Sequence, residues 1–555
     1  MATFISNPRR LATVHGMHVN HHTSIHPEFP FILYHMATMT LLEFATDQML
    51  TNLLVKERAK YLARNRSDKH KRLDKDCDLF ELTPRKMLSR MMPPRRSWVT
   101  PRKRKQLANK SNDKRKIAEK ALLLTIKRDR YRQASGATFP YLDELDRFME
   151  RIRQRLSSDS LQFASPRLIP IYKDKEKLSD GTLKVTCRPL SVNYRLEDKI
   201  ILALTSRYLT KNIDRYLHTN ILSYRSARNF GDKKHYVTDF NDGIRLVEEF
   251  RDAHANSPIY VADCDIKKFY DIIPHQVVRE CFSRILDQSH ICDDGKAQVM
   301  RVLEAYLASY NFYTNAWLES QNKDEVFNKL RHCFGDKERK NTYQLKWVDE
   351  IMNMTDDQKL HLGVPQGCSL SLLVANIVLN DVDKVLTNHE DPNRLFIRYC
   401  DDIILMHTDY DECCRLIDLY AQSLKDHGLY YHDFEPVGDR KHFWSIKSHL
   451  PFLWDDGDDN ANRYVGFLGY EMRRDGRLRL RKSNINKFVD KFQRKKYALR
   501  RYRKKHPEED FETYQDKVLS RILDGINIYE ALDLQLFKDG SQYGYLKKLK
   551  ERTMQ

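Results

Sequence analysis

A chain of 555 residues with 96 Lys and Arg against 77 Asp and Glu has a net charge of +19, which asks for a polyanionic partner and excludes an acidic, solvating protein. Nucleic acid fits that charge better than an anionic membrane, which ordinarily selects a clustered amphipathic helix. Ten scattered cysteines without a Cys-x-x-Cys pair offer neither zinc spacing nor a disulfide framework, and the apolar stretch from Phe31 to Leu42 is too short to span a bilayer. The expectation is a soluble, unprocessed protein of a reducing cytoplasm.

In chain order, apolar residues from about Met39 to Ala63 recur at helical spacing (Leu41, Leu42, Ala45, Met49, Leu50, Leu53), which predicts a packing helix. A strongly basic stretch follows from Pro93 to Lys120, with Arg104 inside Arg102–Lys105. Trp98 lies within it, and stacking combined with phosphate neutralisation is how single strands are held. Residues 1–150 therefore read as a helical, basic accessory region. Leu168–Tyr172 and Val185–Val192 predict strands about the turn signal Ser179-Asp180-Gly181, and Leu196–Tyr216 a helix. A strand at Ile259–Ile266, helices at Pro274–Leu286 and Ser369–Leu386, and a hairpin over Leu395–Met406 complete an α+β pattern. Antiparallel strands with helices on one face are expected, the second helix capped by Ser369 or Ser371.

Chemistry concentrates in three places. Tyr399-Cys400-Asp401-Asp402 sets two adjacent carboxylates into an apolar run, where their repulsion and dehydration favour a cation. Upstream, Asp263 and Asp265 alternate along a strand and so share a face. Oxygen ligands converging without Cys or His are a magnesium signature, and two ions about 4 Å apart clamp both oxygens of an in-line phosphoryl displacement. Between them, Gly363-Val364-Pro365-Gln366-Gly367 is a flexible turn that lets backbone approach a ligand closely.

These blocks, in this order, resemble the reverse transcriptase family over roughly residues 160–510. The Asp265 block looks like its first palm motif, Gly363–Ser371 with Leu373, Ala375 and Asn376 like its second, and Tyr399–Asp402 like its third. Phe467-Leu468-Gly469-Tyr470 resembles the primer grip and Arg188-Pro189-Leu190-Ser191 the fingers motif. The resemblance implies a right-hand polymerase fold: fingers over 151–258, palm over 259–475 with an insertion at about 310–354, and a helical thumb and tail over 476–555. It implies that Asp265 and Asp401 bind two catalytic Mg2+ ions, with Asp402 supporting and the Ile266 carbonyl completing a site. Tyr270 is similar to the family's steric gate against ribonucleotides, Gln366 to the residue that packs on the nucleotide sugar, and Arg188 to the one that neutralises triphosphate oxygens. Phe467, Gly469 and Arg481, with Lys487, Lys495 and Arg104, are expected along the nucleic acid. An RNA template, a DNA product and deoxynucleoside triphosphates are the implied partners.

Departures accompany the matches. Ser371 is followed by Leu372 where many relatives have Pro, and Glu435 stands near the place of an expected Lys, with Lys441 the nearest basic substitute. Asp271 lies near the position at which RNA-copying RNA polymerases read a 2′-hydroxyl, a reading that Tyr270 opposes. The basic N-terminal region, and a C-terminal remainder of about fifty residues, too short for an RNase H domain, look most like bacterial defence-associated and abortive-infection reverse transcriptases. That resemblance implies antiphage defence, a noncoding RNA partner and oligomers. Retron-type and group II intron-type enzymes are the alternative, and an RNA-binding scaffold with an inactive palm is the alternative of another class.

Overall fold

The computed structural model describes residues 39–63, 84–99, 114–177, 183–225, 228–230, 233–235, 240–318, 342–345, 353–438, 440–455 and 464–481. The N-terminal helix expected over Met39–Ala63 is two helices, α1 (Leu41–Phe44) and α2 (Asp47–Ala63). Two threonines explain the break. Thr40 forms a capping box with Glu43, and the Thr46 hydroxyl accepts the Met49 N–H at 3.2 Å to start the second helix. Leu41, Leu50, Leu53 and Leu54 are buried as the spacing predicts. After α3 (Pro84–Arg90) and α4 (Lys114–Ala134), α5 (Pro140–Ser157) runs straight through residue 150, so the boundary expected there falls inside a helix. Trp98 departs from the stacking role inferred for it. It is half-buried against the core and its indole N–H donates to the Pro93 carbonyl at 2.9 Å.

Strands β1 (Arg167–Lys177) and β2 (Leu183–Asn193) form the expected antiparallel hairpin, and α6 (Leu196–Ile213) follows. A small ribbon of β3 (Arg228–Phe230) and β4 (Lys233–His235) precedes α7 (Phe240–Ala253). Then come β5 (Tyr260–Asp265), α8 (Phe269–Ile272), α9 (His275–Gln288) and α10 (Asp293–Ala308). Strand β6 (Thr342–Leu345), inside the expected insertion, joins β2 in parallel, so that part of the insertion extends the hairpin into a three-stranded sheet.

The central sheet has strand order β7-β8-β5-β10-β9, built from β7 (Arg394–Tyr399), β8 (Asp402–His407), β9 (Phe434–Glu435) and β10 (Ser448–Leu453). Helices α11 (Asp356–Leu360), α12 (Ser369–Thr387), α13 (Tyr410–Asp426) and α14 (Arg440–Phe443) are the remaining α-helices among the described residues. Alternate strand residues serve two cores. Ala262, Cys264, Phe396, Ile403 and Leu405 pack with α12 and α13, whereas Val261, Leu395, Ile397, Ile404 and Met406 pack with Ile244 and Val247 of α7. The second core also takes Val465, Phe467 and Met472 from the sheet of β11 (Tyr464–Phe467), β12 (Tyr470–Arg473) and β13 (Leu478–Leu480). Cover on one face only was expected; burial on both explains why these strands read as continuous apolar runs. The stretch expected to be helical from 476 begins as a strand, β13.

The cap expected for α12 also differs. Cys368 is the N-cap and makes no side-chain capping bond, while the Ser371 hydroxyl donates to the Pro365 carbonyl and meets the Tyr306 hydroxyl at 2.7 Å. Among the described residues no helix is long and apolar enough to cross a membrane.

Candidate active site

The carboxylates meet because β5 and β8 pair in a register that sets Asp265 opposite Asp402. Asp401 occupies the two-residue turn from β7 into β8, where Tyr399 pairs with Asp402. Crowding by surrounding protein pushes the Asp402 carboxyl up to about 7, and the charges of Asp401 and Asp265 push the same way. The Asp402 side chain itself stays open to water, so carboxylate repulsion is the firmer cause. Three clustered carboxylates fit a hard divalent cation. The bonds flanking Ile266, His432 N–H to the Asp265 carbonyl at 3.0 Å and Lys267 N–H to the Tyr430 carbonyl at 2.7 Å, belong to a bridge with Tyr431. In such a pair the Ile266 carbonyl turns away from that segment, toward the β8 side. Asp263 is otherwise engaged: its carboxylate accepts the His449 backbone N–H at 2.9 Å and faces His449 Nδ1 at 2.7 Å.

Beneath the turn lies a buried polar cluster that local spacing did not reveal. Cys400 has φ +60° at the first central position of the hairpin turn, the place that glycine ordinarily fills. Its N–H donates to Ser223 Oγ at 2.9 Å, and its carbonyl accepts from Arg398 Nη1 at 3.0 Å. Arg398, fully buried, donates through Nε to Asp383 of α12 at 2.6 Å. The backbone of Arg398 is itself pinned by the segment 220–222, whose Leu222 N–H donates to its carbonyl at 2.9 Å.

Tyr270 packs edge-on to Phe269 and lies near enough to Cys400 and Asp401 to feel their charge; burial holds its hydroxyl proton tightly. Gln366 donates its amide to the carboxylate of buried Asp271 at 2.9 Å. A carboxylate only accepts, so the amide carbonyl is the group Gln366 can turn elsewhere. One Asp271 oxygen thus accepts from Gln366, while the other lies 3.8 Å from the Lys268 ammonium. The loop ahead of Gln366 is zipped to this element by Gly363 N–H to Ile273 at 2.8 Å and Val364 N–H to Tyr270 at 2.7 Å. His275 faces the Gly363 carbonyl at 2.8 Å. Arg188 lies on β2 opposite Ile171.

Lys447, just ahead of β10, was missed. Its ammonium lies 3.1 Å from Asp265, a cation resting on the central carboxylate, while Glu435 sits on β9 and Lys441 in α14. Only the antiparallel pairing of β10 with β5 brings Lys447 there, and no local motif signals it. Arg481 stacks its guanidinium on Trp444, 4.6 Å from the ring centroid. Burial lowers its pKa, opposed by the nearby charges of Asp263, Asp402 and Glu471. Phe467 is buried beside Gly243, and the Leu468-Gly469 turn that follows it, with φ +51° and +86°, is half-buried, Leu468 packing against the same core. Arg104, Lys487 and Lys495 lie outside the described residues.

Cys281, Asp381 and His427 bring ligand atoms within 4.8 Å of one another from three elements, a grouping that cysteine spacing does not show. Asp381 is already neutralised by Arg284 at 2.8 Å and by Lys384.

With this geometry in place, residues 320–433 match the family model described as reverse transcriptase (RNA-dependent DNA polymerase). The match takes in the Gln366 loop and the Asp401-Asp402 turn and begins downstream of Asp265. The matched segment is thus similar to a reverse transcriptase domain, the domain of an RNA-directed DNA polymerase. Among solved structures, the chain is similar to apo telomerase from Candida tropicalis truncated from its C-terminal domain, with TM-score 0.33 and 15% identity over 58% of this chain and 56% of that one. It is also similar to telomerase from Candida albicans in complex with a TWJ fragment of telomeric RNA, with TM-score 0.31 and 12% identity over 75% of this chain and 66% of that one. Against the first of these the chain spans about half of the other's length. No curated protein matches.

Proposed function

We propose that this chain copies RNA into DNA, with a right-hand arrangement in which the five-stranded sheet is the palm and the β1–β2 hairpin belongs to the fingers. The observation that carries the reading is the register of β5 on β8, which brings Asp265 to Asp402 beside a turn that carries Asp401. Asp265, Asp401, Asp402 and the Ile266 carbonyl would hold two Mg2+ ions, which when bound lower the proton affinity of a primer 3′-hydroxyl and neutralise departing pyrophosphate. Tyr270 would act as the bulky ring that excludes a ribose 2′-hydroxyl. Gln366, oriented by Asp271, would meet the sugar with its carbonyl, and Arg188 would face the triphosphate with a planar fork suited to phosphate. The Leu468-Gly469 turn, with Arg481 behind it, would approach the primer backbone.

Within that chemistry, we assign the chain to the bacterial defence-associated reverse transcriptases, acting in the cytoplasm with a noncoding RNA template and as an oligomer. The unpaired thiols of Cys264, Cys281, Cys368 and Cys413 suit a reducing compartment, and the charge of +19 suits a bound RNA. Primer extension on an RNA template with Mg2+ and deoxynucleotides tests the polymerase. Undiminished synthesis by Asp401→Asn would remove the metal-site assignment. Sequencing the nucleic acid that copurifies with the protein tests the template, and recovery of unrelated cellular RNA alone would reject a dedicated noncoding partner.

A further inference from the structure

Arg398 and Asp383 form an ion pair whose side chains are both 0% exposed, on β7 and α12 respectively. Such a pair is a poor stabilising device, since dehydrating two charges offsets their attraction unless every remaining polar atom is satisfied. Here they are not: Arg398 Nη2 and Asp383 Oδ1 are buried without a hydrogen-bond partner among the described residues. Burial also pushes the Asp383 carboxyl up to about 6 against the pull of Arg398, a sign of what ionising it there costs. What the pair does accomplish is positional. Arg398 Nη1 reaches past the strand to the Cys400 carbonyl at 3.0 Å, and Ser223 Oγ takes the Cys400 N–H at 2.9 Å.

Both backbone polar groups of one residue are therefore held by side chains from elsewhere. That residue has φ +60° without being glycine, in the turn that carries Asp401. Left to itself, the turn has two reasons to relax: its own backbone conformation, and repulsion among Asp401, Asp402 and Asp265. Asn376 of α12 ties the two holders together, donating to the Ser223 carbonyl at 2.8 Å and lying 3.4 Å from both Ser223 Oγ and Arg398 Nη1. We propose that Arg398 and Ser223 are positioning residues that clamp Cys400, and that the buried Asp383–Arg398 pair serves to preorganise the Asp401 carboxylate for metal rather than to stabilise the fold. This rests on the metal site proposed above.

The test compares metal affinity with folding. In the double variant Arg398→Met with Asp383→Leu, both charges are replaced by apolar groups of similar volume, an exchange that is often neutral or stabilising. Its melting temperature is expected to equal or exceed that of the parent, while Mn2+ binding, followed by the electron paramagnetic resonance signal of free ion, weakens at least tenfold and primer extension falls further. Ser223→Ala removes the acceptor of the Cys400 N–H together with the long 3.4 Å bond to Asn376, and is expected to weaken Mn2+ binding severalfold at unchanged melting temperature. Parental Mn2+ affinity in a folded double variant overturns the proposal. Should the double variant fail to fold, the pair is structural, and the assignment of Arg398 is overturned whatever Ser223→Ala does. Loss of Mn2+ binding in Asp401→Asn separates the two levels: if that variant binds like the parent, the metal site itself is wrong, whereas a normal Asp401→Asn loss beside unaffected clamp variants rejects the clamp alone.

Discussion

Replacing Gly363 by alanine probes the loop that carries Gln366. Gly363 has φ +87°, a conformation that costs an alanine about 1–2 kcal/mol. A Cβ there would lie 2.6 Å from the Asp271 carbonyl oxygen and 3.0 Å from Phe312 Cβ. Neither is the end of a flexible side chain, so overpacking adds about 1–3 kcal/mol. Lower entropy in the unfolded chain returns about 0.4–1 kcal/mol. The net loss is about 3 kcal/mol, read as a shift in the urea midpoint followed by tryptophan fluorescence. Gly136→Ala is the control, because its φ is +93° but nothing lies within 4 Å of the added carbon, leaving the backbone cost alone. Because the strain in Gly363→Ala falls on Asp271, which holds the Gln366 amide, synthesis should fall more than stability does. A Gly363→Ala protein no less stable than Gly136→Ala, or one with full activity, would refute the reasoning.

Three further outcomes follow from named contacts. Burial lowers the pKa of His275 from 6.5 to about 4, so between those values the unfolded chain takes up a proton that the folded chain resists; stability is full above pH 6.5 and falls by about 3 kcal/mol by pH 4. His275→Gln should flatten that part of a stability-against-pH curve, and an unchanged curve would assign the acid sensitivity elsewhere. Tyr270→Ala should admit ribonucleotides in primer extension, with the ratio of ribo- to deoxynucleotide kcat/KM rising at least tenfold; an unchanged ratio rejects the gate. Lys447→Ala removes the ammonium 3.1 Å from Asp265, and in calorimetric titration Mg2+ should bind more tightly than to the parent, whereas weaker binding would mean that Lys447 supports the site instead of competing for it.

How much of this was legible in the sequence differs between the carboxylates and the groups that hold them. Asp265, Asp401 and Asp402 announce themselves through adjacency, alternation and flanking apolar runs, all of them local properties of one strand or one turn. The same holds for α12 and for the β7–β8 pair, whose bounds were read to within one residue, and for the β1–β2 hairpin, whose first strand runs five residues beyond the expected Tyr172. The missed features are of two kinds, local caps that apolar spacing does not record and contacts between partners far apart along the chain. Thr46 splits a helix that apolar spacing reads as continuous, because a capping hydroxyl leaves that spacing untouched. Cover on the second face of the sheet comes from α7 and β11–β13, on either side of the central-sheet strands in sequence.

Composition and local pattern determined, by themselves, a large positive charge suited to a polyanion, an α+β pattern and the three acidic groups, because net charge and backbone periodicity are properties that a chain carries before it folds. Tertiary structure alone decided that Lys447 rests on Asp265, that Asp271 orients Gln366, and that Ser223, Arg398 and Asp383 converge beneath Cys400. Those contacts depend on the order of strands in the sheet and on which helix covers them. Sheet order is settled by the competition of all possible pairings at once, and no spacing within a single segment records its result.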